Sequence, residues 1–192
     1  MLLEQNIDDI FIVTGYKSDL IEKHVNKKNV KIIKNKKYDV FDSFYSFWCI
    51  KNFITSDFIC IYGDLIFDEE LFLEFIQNKN NYLIVDTLTH KFNTHSVYIK
   101  NNLIQNINFN SNVQKPNGQF TGISKFNKSS VKLIKKSLNN FNKNKNLDGE
   151  FVKLIESLIK NNLTIFPFYT DEKIWINVNN KIELDFARKK FG

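Results

Sequence analysis

The sequence predicts an α/β fold in three layers, α/β/α, around a mixed and mostly parallel central sheet. Three observations carry that expectation. Short apolar β-rich runs at residues 10–14, 58–62 and 82–86 lack an alternating polar face, as strands covered on both sides do. Segments of helical period lie between these runs, the alternation of a doubly wound sheet. One hairpin, residues 95–99 and 103–109 across Asn101-Asn102, interrupts the alternation and adds antiparallel pairing.

The elements follow in order. Residues 2–9 read as the tail of a helix, with Leu2, Leu3 and Ile7 on its apolar side. Residues 10–14 form a buried strand that ends at Gly15, and Ser18 is the expected N-cap of a helix to about His24. A second strand spans residues 30–33, and a helix covers 43–53. The run Phe58-Ile59-Cys60-Ile61-Tyr62 is the next strand. Asp68, Glu69 and Glu70 then place negative charge at the start of a helix reaching about Gln77, where the helix dipole favours it. After the strand at 82–86 and the hairpin come a strand at 120–126 and helices at 129–141 and 148–160. A late strand at 164–168, an extended segment at 175–178 and a helix from Ile182 close the chain.

Composition narrows the classes. A chain of 192 residues reads as a single domain, 1–192, long enough to bury a core. A hydrophobic share of 43% beside 25% charged residues is that of a globular protein, and no apolar run is long enough for a membrane helix. The first residues lack the basic flank of a signal peptide. Cys49 and Cys60 lie in apolar segments without metal spacing, as reduced core cysteines of a cytoplasmic protein would. The net charge of +6 raises a nucleic-acid reading, but Arg188 is the only arginine and the forks that read guanine are missing. Lysine, asparagine, isoleucine and phenylalanine abound, as an AT-rich coding sequence would give. The basic run 27–37 alternates with apolar residues like a half-exposed strand, so solvated surface is expected there and no nucleic-acid partner.

Chemistry concentrates at Asp64. A buried strand ending in Gly63-Asp64 delivers a carboxylate to the carboxyl edge of an open sheet, where α/β proteins bind ligands. A carboxylate there suits a divalent cation on a phosphate. The alternative is that Gly-Asp only turns the chain. Asp86 ends another buried strand and either lines the same crevice or is a loop carboxylate. Trp175, Tyr45, Trp48 and Phe168 could box a quaternary ammonium through cation–π contacts, or simply pack the core of an aromatic-rich chain. His24, His90 and His95 have neither metal spacing nor a nucleophile beside them.

Several segments together resemble a family. Asp9-Ile10-Phe11-Ile12-Val13-Thr14-Gly15-Tyr16-Lys17, Ser46-Phe47-Trp48 and Tyr62-Gly63-Asp64-Leu65-Ile66-Phe67-Asp68 look like the nucleotidyltransferases that activate sugar phosphates and choline phosphate. Gly118-Gln119-Phe120-Thr121-Gly122-Ile123 resembles that family's G-x-[YF]-x-G-[IL] strand. Trp175-Ile176-Asn177-Val178-Asn179, followed by Glu183-Leu184 and Ala187, resembles its closing W-x-[DN]-[IV]-D-x-x-x-[DE]-L-x-x-A segment. The order holds across nearly the whole chain, and the choline-phosphate and related cytidylyltransferases are the most similar branch.

The resemblance implies a Rossmann-like fold and Mg²⁺ held by two acidic ligands. Asp64 matches the first, and Asn179 stands where the second is usually Asp, giving a neutral carbonyl instead of a charge; capping the last helix is its alternative role. Asp86, Trp175, Tyr45 and Gly122 are the expected substrate-binding positions. The family's first strand and glycine-rich loop have no counterpart here, nor does the lysine usual after residues 104–107, where Asn108, Phe109 and Asn110 stand. His95 occupies a place where an acid is common. A truncated N-terminus is therefore expected, and the gap it leaves between the strands at 10–14 and 58–62 either closes up, is filled by another segment or another chain (a second copy included), or leaves the isolated chain poorly stable and prone to aggregate. The implied reaction transfers a nucleotidyl group, with CTP the expected donor, to a small phosphorylated acceptor such as choline phosphate or a sugar phosphate. The alternatives are a catalytically dead binding or subunit-pairing domain and, with less support because Asp64-Leu65-Ile66 is no Asp-x-Asp pair, a glycosyltransferase.

Overall fold

A computed structural model describes residues 2–5, 7, 9–25, 30–88, 95–109 and 116–192. Lys27, Lys28 and Asn29 of the basic run, together with His90 and Asn110, lie outside the described residues. The chain divides into two compact units: Met1–Thr55 with Val131–Leu158, and Ser56–Ser130 with Ile159–Gly192.

In the first unit, β1 (Ile10–Thr14) and β2 (Val30–Lys34) pair in parallel, Ile10 opposite Val30 and Thr14 opposite Lys34. Parallel neighbours need a crossover, which α1 (Ser18–Val25) supplies. Ser18 is the first residue of that helix; its hydroxyl lies 3.0 Å from that of Thr14 and donates to the Glu22 carboxylate at 3.0 Å. The helix α2 (Ser43–Cys49) is shorter than the sequence suggests, passing into turns before Phe53. Its inner face packs the Phe44 ring edge-on to Phe141 at 4.9 Å and the Phe47 ring on Phe151 at 4.7 Å. Phe141 lies on α4 (Val131–Lys143), which buries Val131, Ile134 and Leu138 at helical spacing. α5 (Val152–Lys160) starts four residues later than expected, because Gly149 adopts φ +100° and the Asp148 carboxylate accepts from the Gly149 amide in a turn of its own.

In the second unit, β3 (Phe58–Ile61) is followed almost at once by β4 (Leu65–Phe67), then by α3 (Glu69–Ile76) and β5 (Tyr82–Asp86). The hairpin forms from β6 (His95–Lys100) and β7 (Leu103–Phe109), with Asn101 and Asn102 at φ 52° and 56°, the left-handed pair that a two-residue loop requires. β8 (Gly118–Phe126), β9 (Phe166–Tyr169), β10 (Trp175–Asn177) and α6 (Lys181–Phe191) complete it. The six-stranded sheet runs β7-β6-β8-β5-β9, with β3 also on β8. It is mixed: β5 and β9 are parallel, while β8 is antiparallel to β3, β5 and β6. β4 and β10 form a separate antiparallel ladder. Among the described residues β1 has β2 as its strand neighbour and β3 has β8, each within its own unit.

The core of this unit joins Leu71 and Phe75 of α3 to Ile84 and Ile123 of the sheet, with Leu65, Phe67 and Phe168 against it. Lys125, buried at 9% exposure, turns its ammonium onto the carbonyl of Ile76 at 2.5 Å, a cation at the C-terminal end of α3; burial pushes its pKa down. On β3, burial pushes the Cys60 thiol up to about 12.

The pairing of β5 with β8 slips between Leu83 and Val85, and Gly122 lies in that bulge at φ +101°. A Cβ on it would meet Leu65 at 2.9 Å and Tyr62 at 3.0 Å. Gly122→Ala is therefore expected to cost about 2 kcal/mol in urea unfolding, while Gly63→Ala, whose Cβ would meet nothing within 4 Å, changes stability by less than about 0.5 kcal/mol.

Cys60 gives a pH prediction. A thiol whose pKa rises from 9.0 to about 12 on folding leaves stability untouched below the unfolded pKa and lowers it as pH climbs from 9 toward 12. At pH 8 Cys60, half-buried and with a raised pKa, should react with Ellman's reagent more slowly in the native chain than in the urea-unfolded chain; equal rates would contradict the raised pKa.

Candidate active site

The site forms where the chain leaves β3. Tyr62 donates its amide to the Gly122 carbonyl at 3.1 Å, which fixes the turn Tyr62-Gly63-Asp64 on the bulge of β8. β4 then pairs with β10, Leu65 opposite Asn177 and Phe67 opposite Trp175. Just beyond the ladder, Val178 donates its amide to the Asp64 carbonyl at 2.7 Å. The backbones of Asp64 and Asn179 are thereby brought to one end of a short ladder, and both side chains are exposed.

The start of α6 decides what Asn179 is free to do. Its neighbour Asn180 is the N-cap: the Asn180 side chain accepts from the Glu183 amide at 3.0 Å. The Glu183 carboxylate reaches back to the Asn179 amide at 2.6 Å. The alternative role foreseen for Asn179, capping this helix, falls to the next residue. Its side chain is not used there. Asp64 and Asn179 offer hard oxygen atoms, a carboxylate and an amide carbonyl, suited to Mg²⁺ completed by phosphate oxygens and water. Among the described residues no group of three or more His, Cys, Asp and Glu is placed to hold a metal by itself.

Asp86 and Trp175 meet. Asp86 ends β5 at 2% exposure; its carboxylate accepts from the Trp175 indole N–H at 2.7 Å and from the Leu88 amide at 2.8 Å. Trp175 is 4% exposed. Sequence reading singled out both without pairing them, since they stand 89 positions apart. Gly122 contributes backbone, as described above. Tyr45 belongs to the first unit, on α2, where its ring stacks on Phe41 at 4.8 Å and on Trp48 at 5.4 Å, and burial pushes its phenol up. Trp48 in turn carries the Lys51 ammonium 3.3 Å from its ring centroid. Phe168 packs edge-on to Phe75 at 5.4 Å. His95 is buried on β6, opposite Phe109 and Phe120.

Asn177 was missed. It faces the same side of β10 as Trp175, and its side-chain oxygen is buried with no hydrogen-bond partner among the described residues. The [DN] position of the closing segment was the signal that could have found it.

No protein-family model matches the chain. Over 89 residues it is 30% identical to the choline-phosphate cytidylyltransferase of Haemophilus influenzae, a match covering 46% of this chain and 38% of that protein. The chain thus matches well under half the length of this curated relative. Among solved structures it superposes on the CTP:phosphocholine cytidylyltransferase of Streptococcus pneumoniae with a TM-score of 0.83 and 17% identity, over 100% of this chain and 82% of that one. The inositol-1-phosphate CTP transferase of T. maritima follows at 0.76 and 16% identity, over 97% and 77%. The fold is that of the nucleotidyltransferases, and the family-level resemblance holds in sequence and in structure. No helix of the described residues is long and apolar enough to cross a membrane.

The buried Asp86–Trp175 bond can be measured. Trp175→Phe withdraws one donor from a buried carboxylate and is expected to cost about 2 kcal/mol in urea unfolding. In an Asp86→Asn background the same change should cost about 1 kcal/mol less. Equal costs in the two backgrounds would mean that the indole acts by packing alone.

Proposed function

We propose that the chain carries the catalytic face of a Mg²⁺-dependent cytidylyltransferase acting on a small phosphorylated acceptor in the cytoplasm. An oxygen of the acceptor phosphate attacks the α-phosphorus of CTP; the new P–O bond forms as the bond to the β-phosphate oxygen breaks, and pyrophosphate departs. This reaction needs no protein nucleophile, only alignment and neutralised charge. The single observation that carries the reading is the Asp64 carbonyl held 2.7 Å from the Val178 amide, because it joins the two oxygen-bearing residues at one ladder end.

Asp64 and Asn179 are the residues that would hold the metal, with the carboxylate giving charge and the amide giving a neutral ligand. When bound, Mg²⁺ neutralises the triphosphate and polarises the α-phosphoryl group. Asp86, buried and bonded to Trp175, would shape the acceptor side by holding that ring rather than by touching the acceptor. Gly122 keeps the bulge that seats the Asp64 turn. Formation of the CMP adduct of the acceptor and pyrophosphate release, followed by ³¹P NMR with CTP and Mg²⁺, tests the reading directly.

Two substitutions test the ligands. Asp64→Ala removes an exposed strand-end carboxylate and leaves no core cavity, so nucleotide binding that depends on Mg²⁺ should fall at least about tenfold with the unfolding midpoint unchanged. Unchanged affinity would remove Asp64 from the site. Asn179→Asp adds a charge, and calorimetric titration should show tighter Mg²⁺ binding in the presence of CTP. Equal affinity in the two proteins would remove Asn179 instead.

A further inference from the structure

We infer that Asn177 is a specificity-determining residue that selects acceptors bearing an N–H or O–H donor over those ending in a quaternary ammonium. The inference rests on the cytidylyltransferase reading and names the acceptor class for the same site. Its first support is the Asn177 side-chain oxygen, which is buried and, among the described residues, without a partner. A buried acceptor left unpaired is costly, and native proteins seldom keep one without a reason. Asn177 lies one ladder position from the Asp64 turn, opposite Leu65, and shares its face of β10 with Trp175. Trp175 in turn leads to the buried carboxylate of Asp86. That face of the ladder carries an amide oxygen beside the Asp64 turn and, past Trp175, a carboxylate. Both accept hydrogen bonds.

The second support comes from the aromatic rings. A trimethylammonium has no hydrogen to donate and is bound by open ring faces. The rings foreseen for such a box are spent elsewhere. Trp175 is buried with its N–H on Asp86, and Phe168 is packed edge-on against Phe75. In the first unit, Tyr45 is stacked on Phe41 and Trp48, while Trp48 carries the Lys51 ammonium. Binding a methylated cation beside Asn177 would leave its carbonyl dry and unpaired, whereas an amine or hydroxyl would satisfy it. A site built to hydrogen-bond a substrate group rejects the analogue that lacks it.

Phosphoethanolamine and phosphocholine differ only in three N–H groups replaced by methyls, so they isolate the effect. Calorimetric titration of the chain, with CTP and Mg²⁺ binding recorded in parallel, should show phosphoethanolamine at least about tenfold tighter than phosphocholine. Glycerol 3-phosphate separates the sources of the donor: if it also exceeds phosphocholine, any N–H or O–H serves, and if it does not, the site selects an amine. Asn177→Leu should bring the phosphoethanolamine advantage to within about twofold, while Asn177→Asp, which keeps an acceptor oxygen and tests the point should the leucine variant fail to fold, should retain it. Phosphocholine binding as tightly as phosphoethanolamine, or an advantage that survives in Asn177→Leu, overturns the inference. CTP and Mg²⁺ binding with no ester binding overturns it while leaving the cytidylyltransferase reading in place. Absence of both nucleotide and ester binding overturns the two together.

Discussion

Three residues of antiparallel ladder, Leu65–Phe67 against Trp175–Asn177, hold together the chemistry of the second unit. The ladder is short, but it joins segments more than a hundred positions apart and fixes the register of both. With Leu65 opposite Asn177, the Val178 amide reaches the Asp64 carbonyl and Asn179 follows directly. A slip of one residue would turn Asn177 and Trp175 to the opposite face and undo the Asp86 bond. The ladder is backed by apolar packing on one side, where Leu65 and Phe67 lie against the core of Leu71, Phe75, Ile84 and Ile123. At its far end Asp68 and Ile174 exchange hydrogen bonds, the Asp68 amide to the Ile174 carbonyl at 3.0 Å and the Ile174 amide to the Asp68 carboxylate at 2.6 Å.

The bulge at Gly122 carries that arrangement back into the sheet. Only a residue without a side chain lets Tyr62 and Leu65 lie where they do, and the Gly122 carbonyl receives the Tyr62 amide. The same β8 strand serves β5 along most of its length, β6 at its start and β3 at its end. Packing thus reaches the site by way of one irregular strand. A bulge is a costly way to shape a sheet, and its place next to the Asp64 turn accords with the tendency of bulges to accompany functional sites.

Much of this was legible in the chain. The strand before Gly63-Asp64, the hairpin over Asn101-Asn102 and the helix expected at 129–141 follow from period and turn chemistry, and all three are in the structure, the strand half-buried where a buried one was expected and the helix at Val131–Lys143. What was not legible depends on distant partners. β4 is only three residues long and reads as the tail of an apolar run until β10 is known to pair with it. The Asp86–Trp175 bond has no local signature, because neither residue's neighbours require the other. Asn179 and Asn180 are chemically alike, so which one caps α6 is decided by backbone angles: Asn180 is extended, with φ −149°. The lysine excess was legible in kind, with Lys31 paired to Asp9 at 2.7 Å and Lys34 to Glu22 at 2.7 Å on exposed surface, contacts that add little stability.

Asparagine in place of acid also sets how the proposed site would work. With Asp64 as its one charged ligand, the ladder end offers a cation far less attraction than two carboxylates would, and exposure to water weakens that attraction further. The triphosphate must then bring most of the negative charge, so metal and nucleotide are expected to enter as a complex rather than in turn. Buried polar groups follow the same logic on the acceptor side. The Asp86 charge is answered within the fold by the Trp175 indole and the Leu88 amide, whereas the Asn177 oxygen has no donor among the described residues. One polar group is fixed to give shape, and the other is left for what binds.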